Sequence, residues 1–370
     1  MNKEFSLDLA KDTDDPAIRR LLRDNPIPGS VTLTYEREPN YFLGCDTMGH
    51  FQQVIVGRHS ATGELAGVVN RATRPLFING QVEEVGYLSQ LRIDQKFQGR
   101  WLLPQGFRYL RQLHADGRVK GYLASIIDGN EQATGLLVNR PRKGYPIFQE
   151  ICRLWTLALI VRRPQRVPTS VYAISRGSIE NLSEIIIFFQ QHGTAKQFFP
   201  AYTETDFIDS TLTRNFSVED FILARHQGKL VGVMGLWDQS AYKQSVVQGY
   251  GGPIARLKPL YNLGLRVIGA QPLLPPGEQI RFAYASFICI ADNDPNIFGV
   301  LLQHVYNLAV ERKFAYLMVG LAGNDRLLPI ARRYWHIPYR SRVYAVCWEE
   351  ERQWLDHLDG RIPHIEIAAL

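Results

Sequence analysis

The chain carries the same short pattern twice, and that repetition limits what it can fold into more than any other feature. Arg58-His59 leads through a turn into Gly63-Glu64-Leu65-Ala66-Gly67-Val68-Val69, and Arg225-His226 leads through a shorter turn into Gly228-Lys229-Leu230-Val231-Gly232-Val233-Met234. Further on, Tyr122-Leu123 precedes Gly129-Asn130-Glu131 as Tyr316-Leu317 precedes Gly323-Asn324-Asp325, with seven residues from tyrosine to glycine in both. Two matches in the same order argue for duplication, against a chance likeness of two hairpins. Gly67 to Asn130 is 63 residues and Gly232 to Asn324 is 92, so the second copy holds 29 more. The Gly- and Pro-rich stretch 249–278 is the natural insertion. Val161-Arg162-Arg163-Pro164-Gln165-Arg166-Val167-Pro168 reads as a linker, because proline fixes φ and brings no amide to a ladder. The expected organisation is therefore two α+β domains, residues 1–163 and 164–370.

Each copy yields a draft of its elements. Residues 16–24 read as a helix capped by Asp14 or Asp15, with proline in the first turn. Residues 52–58 and 65–74 alternate as a hairpin. Asn79-Gly80 is a tight-turn signal leading into a strand over 82–93. Leu102, Leu103, Phe107, Leu110 and Leu113 recur at helical spacing over 101–114. A strand over 121–127, a helix, and a final strand pair with 152–161 as its clearest member close the first unit. The second copy gives a helix at 179–191, strands at 221–225, 230–237 and 282–291, a helix at 297–312, and strands at 314–321 and 342–348.

Composition narrows the class. Hydrophobic residues make up 45% of the 370 and charged residues 21%, near the globular average. No apolar run approaches the roughly 20 residues of a membrane span, and the first residues show no signal-peptide core. Cys45, Cys152, Cys289 and Cys347 lie far apart with no C-x-x-C, which argues against a zinc site or a disulfide scaffold and for a reduced, cytoplasmic protein. Residues 1–163 carry 22 Lys and Arg against 17 Asp and Glu, and the rest 20 against 19. A basic first half suits an anionic ligand as well as it suits a solubilising surface.

The order helix, hairpin, strand, loop, helix, strand, helix, strand resembles the GNAT acetyltransferase superfamily. The stretch Leu88-Ser89-Gln90-Leu91-Arg92-Ile93-Asp94-Gln95-Lys96-Phe97-Gln98-Gly99-Arg100-Trp101-Leu102-Leu103 stands where the family's fourth strand runs into its anion-binding loop. Gln98 and Gly99 match the start of that loop, while Trp101 and Leu103 replace its later small residues. Asn130, Ala133 and Gly144-Tyr145 resemble the run after the family's fifth strand. The resemblance implies two mixed, mostly antiparallel central sheets, each splaying where the fourth and fifth strands run parallel. It implies acetyl-CoA as co-substrate, with no metal. Loop amides at a helix N-terminus would hold its pyrophosphate, giving Leu91, Arg92, Ile93, Gln98, Gly99, Arg100, Trp101, Leu102, Leu103 and Asn130 as binding residues. The second copy has Asp292-Asn293-Asp294-Pro295 at that place. Like charges oppose a pyrophosphate there, and the stretch reads better as a helix cap.

The implied reaction is acetyl transfer to an amine, needing proton removal and oxyanion stabilisation by a backbone amide such as that of Arg92. The family's basic glutamate falls at Tyr87, with Glu83 and Glu84 nearby; its acidic tyrosine falls at Leu137 and is missing. Tyr87 and Glu84 are the catalytic candidates, each competing with a plainer role as packed aromatic or solvated turn residue. The histidines show no ligand spacing. The insertion, with Arg256, Lys258 and Arg266 and no acid between Asp238 and Glu278, reads as a lid, a contact for an acidic partner or a simple cover. The acceptor would be a small-molecule or peptide amine, with nucleic acid not expected. Two alternatives stand: a tandem aminoacyl or acyl transferase, for which transfer RNA would remain open, and a non-catalytic acyl-CoA-binding protein.

Overall fold

A computed structural model describes residues 4–27, 29–99, 102–139, 144–167 and 169–370. In its first half the elements are β1 (Phe5–Leu9), α1 (Asp15–Asp24), β2 (Val31–Glu36), α2 (Tyr41–Cys45), β3 (Phe51–His59), β4 (Leu65–Ile78), β5 (Gln81–Ile93), α3 (Leu102–His114), β6 (Tyr122–Ile127), α4 (Glu131–Leu137) and β7 (Ile147–Ile160). The second half opens with β8 (Ala173–Arg176), α5 (Leu182–Gly193), α6 (Thr205–Ile208), β9 (Phe221–His226), β10 (Lys229–Trp237) and β11 (Gln244–Tyr250). It continues with α7 (Gly252–Arg256), α8 (Lys258–Val267), β12 (Phe282–Ile290), α9 (Pro295–Glu311), β13 (Tyr316–Ala322), α10 (Leu328–Ala331), β14 (His336–Cys347) and α11 (Arg352–Asp356).

Twelve strands form one sheet in the order β1-β3-β4-β5-β6-β14-β7-β13-β12-β10-β9-β8. Only two neighbouring pairs in it are parallel, β5 with β6 and β12 with β13. Each half thus contributes a mixed, mostly antiparallel sheet flanked by helices.

The closing strands depart from the sequence reading. The final strand pair expected within the first unit is not formed there. Between Asn130 and Ile147 the described chain holds α4, so β6 finds its next partner in β14, at the far end of the sequence, from Ser341 opposite Ile127 to Val346 opposite Tyr122. In return β7 pairs with β13, from Tyr316 opposite Ile160 to Ala322 opposite Leu154. The last strand of each half therefore lies against the penultimate strand of the other, and β14 and β7 pair along their length.

A second layer was not foreseen. β2 pairs antiparallel with β11, Glu36 opposite Gln244 and Val31 opposite Tyr250. This two-stranded ribbon joins the halves above one face of the sheet. The stretch 249–278 is not a plain loop: it opens on the end of β11 and contains α7 and α8. Side chains tie the ribbon down, with Gln248 donating to Thr34 at 2.9 Å and Gln244 donating to the Glu38 carbonyl at 2.9 Å. Among the described residues no helix is long and apolar enough to cross a membrane.

Candidate active site

β5 and β6 run together for three rungs, Gly86–Tyr122, Tyr87–Leu123 and Leu88–Ala124, and then part. Gly86 allows this start: a Cβ there would lie 2.0 Å from the Tyr122 ring. Just beyond, two residues of β5, Gln90 and Leu91, stand opposite the single Val69, between the rungs Asn70–Ser89 and Val68–Arg92. Gln90 takes the bulge with a positive φ of 57°. Bulges of this kind turn a strand and re-aim its groups. The parted strands leave a cleft of about 240 Å³. Its walls are apolar side chains of β5, α3 and β6, among them Leu88, Leu103, Phe107, Leu110 and Ile126, with Ser89 and Ser125 as polar points.

Six of the ten expected binding residues line this cleft: Leu91, Arg92, Ile93, Leu102, Leu103 and Asn130. Leu102 is buried against the sheet, over Gly57 and Gly67, so its bulk is absorbed there. Asn130 caps α4, accepting from the Ala133 amide at 3.0 Å. Gln98 lies at the rim, accepting from Gln132 at 3.2 Å. Gly99 adopts a φ of 77° with nothing near its missing Cβ. Arg100 and Trp101 lie outside the described residues. Gly106, not singled out in the sequence, also lines the cleft, and a Cβ there would meet nothing within 4 Å.

The two catalytic candidates part company. Tyr87 points to the sheet face opposite α3, its hydroxyl 3.4 Å from the Ser125 hydroxyl. Burial pushes its pKa up to about 12, against the pull of Ser125 and Arg37. A phenol held protonated is a donor, so the base expected at this place is not what Tyr87 offers. Glu84 is a correction. It lies four residues before Leu88, ~13 Å along the strand, and accepts from Thr73 at 2.9 Å. Pairing with Pro75 near the Asn79-Gly80 turn keeps it from the cleft.

The second half repeats the bulge and closes it. Between the rungs Val233–Cys289 and Gly235–Ser286, Phe287 and Ile288 stand opposite the single Met234, and Phe287 has a φ of 57°. Here the amide of Phe287 donates to the Glu366 carboxylate at 2.7 Å, and the ring is fully buried. Where β12 and β13 part, Ile288, Ile290, Ile297, Leu301 and Val319 form a packed core. A Cβ on Gly232 would meet Ile297 at 2.6 Å and Leu301 at 2.8 Å. At the start of α9, Asp294 accepts from the Asn296 amide at 2.7 Å, and Asn293 donates to Asp325, itself paired with Lys196 at 2.6 Å. The cap reading of Asp292 to Pro295 matches this geometry.

Equivalent bulges make Tyr87 and Tyr284 equivalent, each two residues before the bulge serine. Burial pushes the pKa of Tyr284 up to about 12, and the Arg37 guanidinium is felt by both phenols. Tyr35, on β2, lies near the same charge, with Arg92 and Arg37 acting on its hydroxyl. The repeat Tyr87-Leu88-Ser89 and Tyr284-Ala285-Ser286 is a third internal match that would have revealed the pair in the sequence.

No family model matches the sequence, and no curated protein sequence matches it significantly. Solved structures do. N-myristoyltransferase of Saccharomyces cerevisiae with bound myristoyl-CoA aligns with a TM-score of 0.62 at 8% identity, over 93% of this chain and 83% of that one. A GCN5-related N-acetyltransferase from Sphaerobacter thermophilus gives 0.61 at 12% identity, over 100% and 99%. The GCN5-related glucosamine N-acetyltransferase region of a fungal multi-domain GH3 β-N-acetylglucosaminidase gives 0.63 at 14%, over 92% of this chain and 38% of that one. The fold is the GNAT fold. The parting of β5 and β6 is open, whereas that of β12 and β13 is filled by side chains.

Proposed function

We propose that the chain is an acyl-CoA-dependent N-acyltransferase, built from two GNAT domains, residues 1–163 and 164–370, of which the first binds the donor. The open, apolar cleft between β5 and β6 carries this reading. Its parted strands expose backbone edges for an extended pantetheine arm, and Gln98 and Gly99 stand before α3, whose N-terminus suits a pyrophosphate. Amides of the bulge at Gln90–Arg92 would stabilise the oxyanion formed as an amine attacks the thioester. Tyr87, a protonated phenol beside Ser125, would donate to the departing thiolate. The amine acceptor would reach the thioester where the bulge at Gln90–Leu91 turns β5 away from β6.

Acetyl is the smallest donor consistent with this site. A longer acyl chain is the second reading, favoured by an apolar lining that continues to Leu7, Ile55 and Phe148.

Calorimetry with acetyl-CoA and with acyl-CoAs of increasing chain length tests both. One site per chain is expected. Gly106→Trp puts an indole into the cleft without a clash at Cβ and should weaken binding at least tenfold, about 1.4 kcal/mol, with an unchanged melting temperature. Two equal sites would overturn the assignment to the first half, and so would a Gly106→Trp protein that binds like wild type.

A further inference from the structure

The helix α8 is mounted the wrong way round for an ordinary surface helix. Such a helix turns its apolar stripe to the core and its polar residues to water. In α8 the polar residues hold the helix to the protein. Lys258 donates to the Leu274 carbonyl at 3.2 Å and lies over the Tyr250 ring at 4.7 Å, and Asn262 accepts from the Leu273 amide at 2.8 Å. The apolar residues face out. Leu257, Leu260, Gly264 and Val267 recur at helical spacing, flanked by Tyr261 and Leu263. All six are exposed, Val267 to 80%. No residue of α7 or α8 is buried.

The charges beside this stripe have one sign. Arg256 and Arg266 are exposed at either end of it, and among the described residues neither meets a carboxylate in an ion pair. No acid stands between Asp238 and Glu278. The same character continues beyond the helix. The Ile268 carbonyl accepts from Arg162 at 3.3 Å, and that guanidinium lies 4.2 Å from the centroid of the Trp335 ring, which is 54% exposed.

Three kinds of occupant could cover such a face, and the charges choose between them. A second copy of the chain, helix against helix, would set arginines against arginines. An acidic protein would answer the arginines. A layer of anionic phospholipid answers both features at once: the acyl boundary takes the leucines and Val267, the phosphates take Arg256 and Arg266, and Tyr261 and Trp335 fall at headgroup level, where amphipathic rings are favoured. We propose that α8 docks the protein on an anionic phospholipid surface, lying in the plane of the interface with its Leu257–Val267 stripe inserted.

The full chain is sedimented with vesicles of phosphatidylcholine alone and of phosphatidylcholine and phosphatidylglycerol in equal parts. Partitioning into the mixed vesicles should be about tenfold stronger or more, and added salt should reduce it. Arg256→Gln with Arg266→Gln should weaken it about tenfold or more. Leu260→Ser with Leu263→Ser should do the same. Both double variants should keep the wild-type melting temperature, because none of the four side chains is buried. If the serine pair lowers that temperature, Val267→Glu at the most exposed position of the stripe should produce the loss of partitioning in its place. Absent partitioning, equal partitioning into both vesicles, or full partitioning by both double variants overturns the inference. Two further results would also overturn it: retention on immobilised polyglutamate without vesicle binding, which assigns the face to an acidic protein, and a dimer abolished by the serine pair without vesicle binding, which assigns it to a second copy.

Discussion

Single residues set the terms of this fold, and Gly86 is the sharpest case. The Tyr122 ring crosses β5 where a side chain would otherwise stand, and it is fixed there by Arg71 at 3.1 Å and His114 at 2.9 Å. Gly86→Ala should therefore cost about 1–3 kcal/mol, read as a lower urea midpoint, and should weaken acetyl-CoA binding by disturbing the rungs that set the parting. A variant as stable as wild type would show that Tyr122 can give way. His364 makes a different kind of prediction. Its ring lies 4.7 Å from Phe199, and its Nε2 is buried without a partner. Burial, helped by Lys196, pushes its pKa down to about 3. The unfolded chain takes up that proton near pH 6.5, whereas the folded one does not until about pH 3. Stability is therefore lost as pH falls through this window, by up to about 1.4 kcal/mol per pH unit. His364→Phe should lose less stability than wild type between pH 7 and 4.5 in denaturant titrations, whereas parallel pH curves would exclude His364 as a source of acid sensitivity.

At the scale of elements, legibility followed locality. The Gly63 and Gly228 turns, the Asn79-Gly80 hairpin and the apolar period of α3 are local signals, and the elements they mark are present. The site was half legible for the same reason: Leu91, Arg92, Ile93, Leu102 and Leu103 belong to one strand-loop-helix unit, and Asn130 caps the helix after the next strand. The missed features depend on partners distant in sequence. β2 and β11 are short and become a ribbon only by pairing across about 210 residues. Arg37 reads as an ordinary surface arginine until Gly44 and Lys243 are placed around it. The insertion adds two helices whose apolar residues stay outside, with Leu260 64% exposed and Leu263 60% exposed. Replacing both by serine should lower the fluorescence of a bound hydrophobic dye and leave the melting temperature unchanged. Undiminished fluorescence would mean that other surface takes up the dye.

For the whole molecule, the exchange of closing strands decides what counts as a folding unit. A fragment ending at residue 163 lacks β14 and leaves both β6 and β7 with unpaired edges. Residues 1–163 and 164–370 expressed separately should aggregate or remain unfolded, and expressed together should recover a soluble 1:1 complex by size-exclusion chromatography. A monomeric, folded first fragment would refute this. The same connectivity has a consequence in time. β6 ends at Ile127, yet its neighbour β14 starts at His336, so at about 5–20 residues per second some ten to forty seconds of synthesis separate the two. For that interval the nascent first half exposes the very edges its sheet needs paired, and the chain is exposed to wrong partners on the ribosome until its last strands emerge. Slow codons or a chaperone acting between residues 160 and 336 would govern the yield of this protein more than any site in its finished structure.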